Sequence, residues 1–216
     1  MVMRALDRKL LRDLRRIWAQ SLAIALVLAC GIMVLVLANA ARQSLGETRD
    51  AYYERHRFGD VFASATRAPR SLLPAIAAIE GVARAEPRVV LPAVLDIDGL
   101  AEPATALVLS LPAERAAMLN LPLLRRGRLP DPDRPDEIAL AEPFALLNGL
   151  APGARLRAIL DGQRRELVVT GHVLSPEFIY TIGPGSLMPD DRLFGVIWMN
   201  EAPLAAAAGL GGAFNS

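Results

Sequence analysis

The hydrophobic pattern has one dominant feature. From Ile17 to Ala41, IWAQSLAIALVLACGIMVLVLANAA, 25 residues pass without a charge. A helix rises about 1.5 Å per residue, so some 20 apolar residues cross a ~30 Å hydrocarbon core. This run is long enough to span with tilt. Ahead of it, Leu6, Leu10, Leu14 and Ile17 fall on one helical face, with arginines on the others. That spacing predicts a short amphipathic helix on a membrane surface over residues 1–16, with a solvated charged cap as the alternative. Behind it, residues 42–57, RQSLGETRDAYYERHR, contain no proline and favour a helical stalk, with Gly46 its weak point.

Beyond residue 57 the pattern shortens. Phe58–Thr66 alternates, Val61, Ala63 and Ala65 against Asp60, Ser64 and Thr66, and reads as a strand. Ser71 is a candidate N-cap for a three-turn helix closed by Gly81. Val82–Asp96 reads as a strand interrupted by Pro87 and Pro92, hence edge or bulged. Asp98-Gly99 signals a hairpin into Ala104–Leu111, and a helix is expected over 112–119. A Pro/Asp loop, residues 130–136, precedes a strand at Glu137–Ala141 and a helix at Glu142–Asn148. Arg155–Leu160 and Arg164–Thr170 flank Asp161-Gly162 as the clearest hairpin, and Phe194–Met199 is a further strand. The outer part is therefore α+β, a βαβ-like piece followed by a small β-rich piece.

Charge orients the apolar run. The chain is nearly neutral, with 24 basic and 23 acidic residues. Six of the basic residues stand in the first 16 positions against Asp7 and Asp13. Short cytoplasmic flanks are rich in Lys and Arg, which puts the N-terminus inside and residues 42–216 outside. Nothing elsewhere carries a nucleic-acid footprint. Ala38-Asn39-Ala40 fits a signal-peptidase pattern, but the run exceeds a signal peptide's usual apolar core of about 7–15 residues. An uncleaved anchor is the reading adopted, and export with cleavage before Ala41 is the alternative. Val27-Leu28-Ala29-Cys30 is a loose lipobox that fails because Gly31–Ala38 stays apolar. Cys30 is expected as a small buried hydrophobe in the helix.

Four segments, in this order, carry a resemblance: Phe58–Ser64 (FGDVFAS), Leu124–Gly127 with Arg128, Asp136–Leu140 (DEIAL) and Leu150–Gly153 (LAPG). Each is weak alone. Their order and spacing after a basic leader, a spanning helix and a stalk make the chain resemble the MacB/FtsX-like permeases of ABC transporters. The resemblance covers the whole chain. It implies a membrane-anchored α+β protein. One transmembrane helix (17–41) and a stalk (42–57) lead into a βαβ-like porter subdomain (58–123). A small β-rich subdomain and the start of a return segment follow (124–216). It implies as partners a separate ABC ATPase subunit, a periplasmic adaptor protein, the lipid bilayer and a second permease in a dimer. The family pattern has three further transmembrane helices. No second charge-free run of spanning length follows Ala41, so the expectation is an N-terminal piece of such a permease.

Candidate chemistry is sparse. There is no Walker A run, so no P-loop ATP hydrolysis is expected of this chain. One cysteine excludes an intrachain disulfide, and two histidines are too few for a convincing metal cluster. No catalytic, cofactor-binding or metal-binding residue is assigned. Ser175 and Ser186 lack a nucleophile-elbow context, and His172 at a strand end is expected to be partly exposed. The loop GPGSLMPDD (183–191) reads as a flexible surface loop, with Asp190 and Asp191 solvated. Arg125, Arg126 and Arg128 read as a solvated turn. Met188, Leu187 and Phe178 form either an exposed contact patch or part of a small core. The expected function is a non-enzymatic permease component whose outer domain transmits motion. A secreted or anchored binding module is the rival.

Overall fold

The computed structural model describes residues 9, 12, 13, 15–113 and 118–216. Most of the expected amphipathic leader helix, and the centre of the expected 112–119 helix, lie outside the described residues. Two compact units are present, Met1–Tyr52 and Tyr53–Ser216. In the first, helix α1 begins; it runs unbroken over Trp18–Arg55, 38 residues, or about 57 Å of rise. Its side chains are almost all exposed, Leu35 and Val27 among them at 72% and 73%. Among the described residues it is the one helix long and apolar enough to cross a membrane. Residues 38–41, where signal cleavage was the alternative, are helical within it. Cys30, expected as buried, is exposed on this helix.

The second unit is built on a seven-stranded mixed sheet. After β1 (Ala68–Pro69), a single 3-10 turn (Arg70–Leu72) and α2 (Leu73–Ala77) come β2 (Val90–Asp96), β3 (Ala104–Leu111), β4 (Leu123–Gly127) and β5 (Glu137–Ala141). Helix α3 (Glu142–Leu147), β6 (Arg155–Leu160), β7 (Gln163–Leu174), β8 (Phe194–Asn200), α4 (Glu201–Ala207) and β9 (Ala213–Phe214) follow. The order is β4-β7-β5-β8-β3-β2-β6, with β6 also paired to β7. That last pairing closes a ring of six strands and leaves β4 outside it on β7. Strand β7 can do this because it is 12 residues long. Its first half pairs with β6, its second half with β5 and β4.

Period-two alternation fills the ring. In β6, Leu156, Ala158 and Leu160 are buried while Arg155, Arg157 and Ile159 face outward. Ala106, Val108, Ile138, Leu140, Val169, Ile197 and Met199 complete the interior, and Phe144 of α3 and Leu204 of α4 pack onto it. The opposite face of β3, β5 and β8 carries Leu109, Leu111, Ala139, Val196 and Trp198. These are covered by Met118, Leu121, Leu129 and Phe178. The Asp161-Gly162 hairpin is formed with φ +46° and +78°, the two left-handed positions of a type I′ turn.

Several expectations change. Phe58–Thr66 is extended but joins no ladder, so alternation alone did not make it a strand. The helix after Ser71 is reduced to the 3-10 turn and the five residues of α2, without a side-chain cap. The strand expected from Val82 begins only at Val90, because Pro87 lies in an unpaired stretch. Pro92 is tolerated inside β2 since β6 joins that edge only from Ala93 onward. The Leu124–Arg128 segment is not a solvated turn; Leu123–Gly127 is strand β4, irregular at Arg125. The strands of the ring come from both sides of residues 123–124.

Close packing leaves no room for a side chain at two glycines, against an aromatic ring at Gly195 and against backbone at Gly171. A Cβ on Gly195 would sit 2.8 Å from the Phe144 ring, and one on Gly171 would sit 2.4 Å from the Arg128 carbonyl oxygen. Gly195→Ala and Gly171→Ala are each expected to cost about 1–3 kcal/mol in urea unfolding of the full chain in detergent. Gly46→Ala, in open space on α1, leaves the same transition in place. Equal midpoints for all three variants would contradict the packing described.

Candidate functional site

The described residues contain no group of three metal-ligating side chains. The most constructed polar region of the Tyr53–Ser216 unit lies where α1 ends. After Arg55 the chain turns back through Arg57 at φ +50°. His56 and Arg57 then pair through main chain with the segment that leads into β4. Asn120 N–H donates to the Arg57 carbonyl and Leu121 N–H to the His56 carbonyl, both at 2.9 Å. The His56 Nδ1 lies 2.9 Å from the Leu121 carbonyl oxygen, which requires the proton on Nδ1. Asn120, itself at φ +47°, accepts the Gly59 N–H on Oδ1 at 2.9 Å. Tyr53 stacks on Phe58 at 4.7 Å, and Phe58 meets Phe62 at 5.6 Å. The helix end is thus held by a polar clasp with an aromatic flank.

A groove of about 520 Å³ adjoins this clasp. Phe58, Val61, Phe62, Ile76, Ile79 and Phe214 give it an apolar wall. Its polar end is Glu86, whose carboxylate accepts the Leu119 N–H. Burial pushes the Glu86 carboxyl above its ordinary value; the Leu119 N–H and the nearby Arg88 and Arg84 only partly offset this. Next to it, Arg88 binds Glu177 through two hydrogen bonds of 2.6 and 2.9 Å, both side chains mostly buried. Asn215 Oδ1 accepts the Val90 N–H and its Nδ2 donates to the Val90 carbonyl, each at 2.8 Å. This amide stands in for a neighbouring strand at the start of β2. A second ionic knot holds the Pro/Asp loop. Buried Glu137 takes two bonds from Arg128 (2.6 and 2.5 Å) and the Asp131 N–H at 2.9 Å. The Arg128 guanidinium holds the Glu137 carboxyl below the usual range.

The residues singled out in the sequence are scattered. His172 is buried, not partly exposed, with Nε2 2.7 Å from the Leu150 carbonyl oxygen. Ser175 is buried and accepts the Glu177 N–H; Ser186 donates to the Met188 carbonyl. Asp190 and Asp191 are not merely solvated. Asp190 caps the N–H groups of Arg192 and Leu193, and Asp191 accepts the Thr181 hydroxyl at 2.7 Å. The predicted patch divides. Phe178 packs edge-on against Trp198, while Leu187 and Met188 stand 96% and 74% exposed. Tyr180, at 80%, Ile179 and Ile182 extend the apolar tip instead. Arg125 meets Glu142 at 3.4 Å. Sequence reasoning missed Asn120, Glu86, Arg88 with Glu177, and the Glu137 knot. The burial of an isolated Glu has no local sequence signal; a non-glycine left-handed Asn before Leu-Pro was the one available hint.

No protein-family model and no characterised protein matches the chain by sequence. Solved structures similar in shape include these two. One is the extracellular domain of the noncanonic ABC-type transporter YknZ from Gram-positive bacteria. It has a TM-score of 0.44 and 11% identity, over 74% of this chain and 76% of that one. The other is the periplasmic region of MacB from Actinobacillus actinomycetemcomitans. It has a TM-score of 0.43 and 12% identity, over 71% of this chain and 63% of that one.

Glu86 supplies a pH test. Its raised value means that its contribution to stability is present below the ordinary carboxylate range and is lost as pH rises through the folded value. Glu86→Gln keeps an acceptor for Leu119 without the charge. The stability of Glu86→Gln relative to wild type is expected to grow between about pH 4 and pH 7. A difference that stays flat over that window would mean that the carboxylate is not disfavoured by burial.

Proposed function

We propose that this chain is a membrane-anchored component of an ABC-type transporter, a permease subunit or its N-terminal portion. Its outer domain transmits ATP-driven motion for export or extraction of a substrate. The observation that carries this reading is the end of α1. The helix that bears the membrane-length run continues to Arg55 without a break, and its last turn opens into the clasp with Asn120 and Leu121. A simple tether needs no such clasp; a helix that passes on displacement does. The ordered motifs of the sequence resemblance point the same way. ATP hydrolysis belongs to a separate ATPase subunit, and this chain is non-enzymatic. A second permease and a periplasmic adaptor complete the assembly, and the exposed Tyr180, Leu187 and Met188 are the surface offered to the adaptor. The N-terminus is cytoplasmic, the bilayer is the inner membrane, and residues 42–216 are extracytoplasmic.

The groove beside the clasp favours a second reading, an exported or anchored binding module. Topology and processing separate the two. In a Cys30→Ser background, an impermeant maleimide is expected to label Gln163→Cys on intact cells and Lys9→Cys only after permeabilisation. Material in the membrane should retain its N-terminal residues. A soluble mature chain starting at Ala41 would remove the permease reading. In membranes, ATPase activity that co-purifies with the chain is expected to fall with Asn120→Ala; an unchanged rate would sink the clasp as a transmission point.

A further inference from the structure

Ring closure uses up nearly every strand edge in the outer unit. Among the described residues, β2, β3, β5, β6, β7 and β8 have neighbours on both sides. The free start of β2 is capped by Asn215. The open edge of useful length is β4, paired to β7 on one side only. Leu124, Arg125, Arg126 and Gly127 are all exposed. An exposed strand edge is a row of unused N–H and C=O groups, a template for an added strand.

The charges on this edge choose the occupant. Arg125, Arg126 and Arg128 fall within four residues. Glu137 is buried beneath Arg128 and Arg134, and Glu142 meets Arg125. Asp131 accepts the Asp133 N–H, and Asp133 and Asp136 stay in the following loop. The Arg126 side chain makes no ion pair or hydrogen bond with another described residue. A second copy is a poor fit. Antiparallel pairing of β4 with itself, centred on the arginines, sets arginine opposite or diagonal to arginine, and like charges there are destabilising. An extended segment with acidic residues at alternate positions satisfies both the backbone and the guanidinium groups.

We propose that the outer edge of β4 is a strand-addition site for an acidic, extended segment of a partner protein. Main-chain bonds supply the affinity and Arg126 supplies the selection. The site does not depend on the transporter reading.

The test uses the full chain in lipid nanodiscs and a fluorescein-labelled peptide alternating Glu with Val and Thr. Saturable binding is expected. It should weaken about tenfold or more for Arg126→Glu, and less for Arg126→Gln. It should be lost for the same peptide N-methylated at alternate amides, which keeps the charge and removes one row of donors. Because the Arg126 side chain holds no partner among the described residues, both variants should keep the wild-type circular dichroism. Equal binding of the N-methylated peptide would reduce the site to bulk electrostatics and overturn strand addition. So would unchanged affinity in Arg126→Glu, or no binding up to about 1 mM peptide. Dimerisation of the peptide-free chain that Arg126→Glu abolishes would assign the edge to a second copy instead.

Discussion

Strand β7 is the splice on which the Tyr53–Ser216 unit depends. An open mixed sheet of this size would present two free edges and one unprotected apolar face. Bending β7 so that one half serves β6 and the other serves β5 and β4 turns the sheet into a ring. The bend has a chemical basis. The register slips between Ile138 and Ala139 opposite β7, and Gly171 sits at that point with carbonyl oxygens of Arg126 and Arg128 against its Cα. A side chain there would push β4 off. The bulge re-aims the strand, and the glycine lets three chains converge.

Around that splice the polar groups do structural duty. Glu137 gathers Arg128, Arg134 and the Asp131 N–H, and Asn200 donates to the Asp131 and Arg134 carbonyls at 2.6 and 3.1 Å. A proline-rich loop is thereby bound to the start of β5 and the end of β8 without a ladder of its own. Glu86 and Asn120 play a comparable part at the end of α1. Buried carboxylates of this kind are expensive to desolvate and persist where their hydrogen bonds are filled. Glu137 is satisfied by two guanidinium groups; Glu86 leans mainly on one backbone N–H, and its carboxyl is correspondingly harder to ionise.

Much of the fold was legible because local signals agreed with tertiary context. Ala104–Leu111, Glu137–Ala141 and Arg155–Leu160 coincide with observed strands, and Asp161-Gly162 turns as its residues require. The apolar run was legible for the simplest reason, that no globular core needs 25 uncharged residues in a row. Phe58–Thr66 shows the limit. Alternation gives a strand its two faces but not its neighbour, and the segment's backbone bonds are scattered, Phe58 N–H to the Tyr53 carbonyl, Gly59 N–H to Asn120 Oδ1 and Ala65 N–H to the Asn215 carbonyl. Closure of the ring was invisible because it depends on β6 finding β2 some 60 residues earlier. The clasp was invisible for the same reason: His56 and Leu121 are 65 positions apart, and neither belongs to a motif.

The ring also governs how this domain comes into being. Its parallel pair β3–β8 sets Thr105 opposite Phe194, 89 residues on, and β2 waits for β6 across the shorter gap from Ala93 to Leu160, 67 residues. Loop closure on that scale slows folding and gives no reward until late. A nascent chain that has emerged only through β7 holds β5 and β3 with their inner edges bare, since β8 belongs between them. The last full strand of the ring acts as its keystone. Until it arrives, the ring lacks the strand that joins β3 to β5, and the apolar faces of those strands are exposed together.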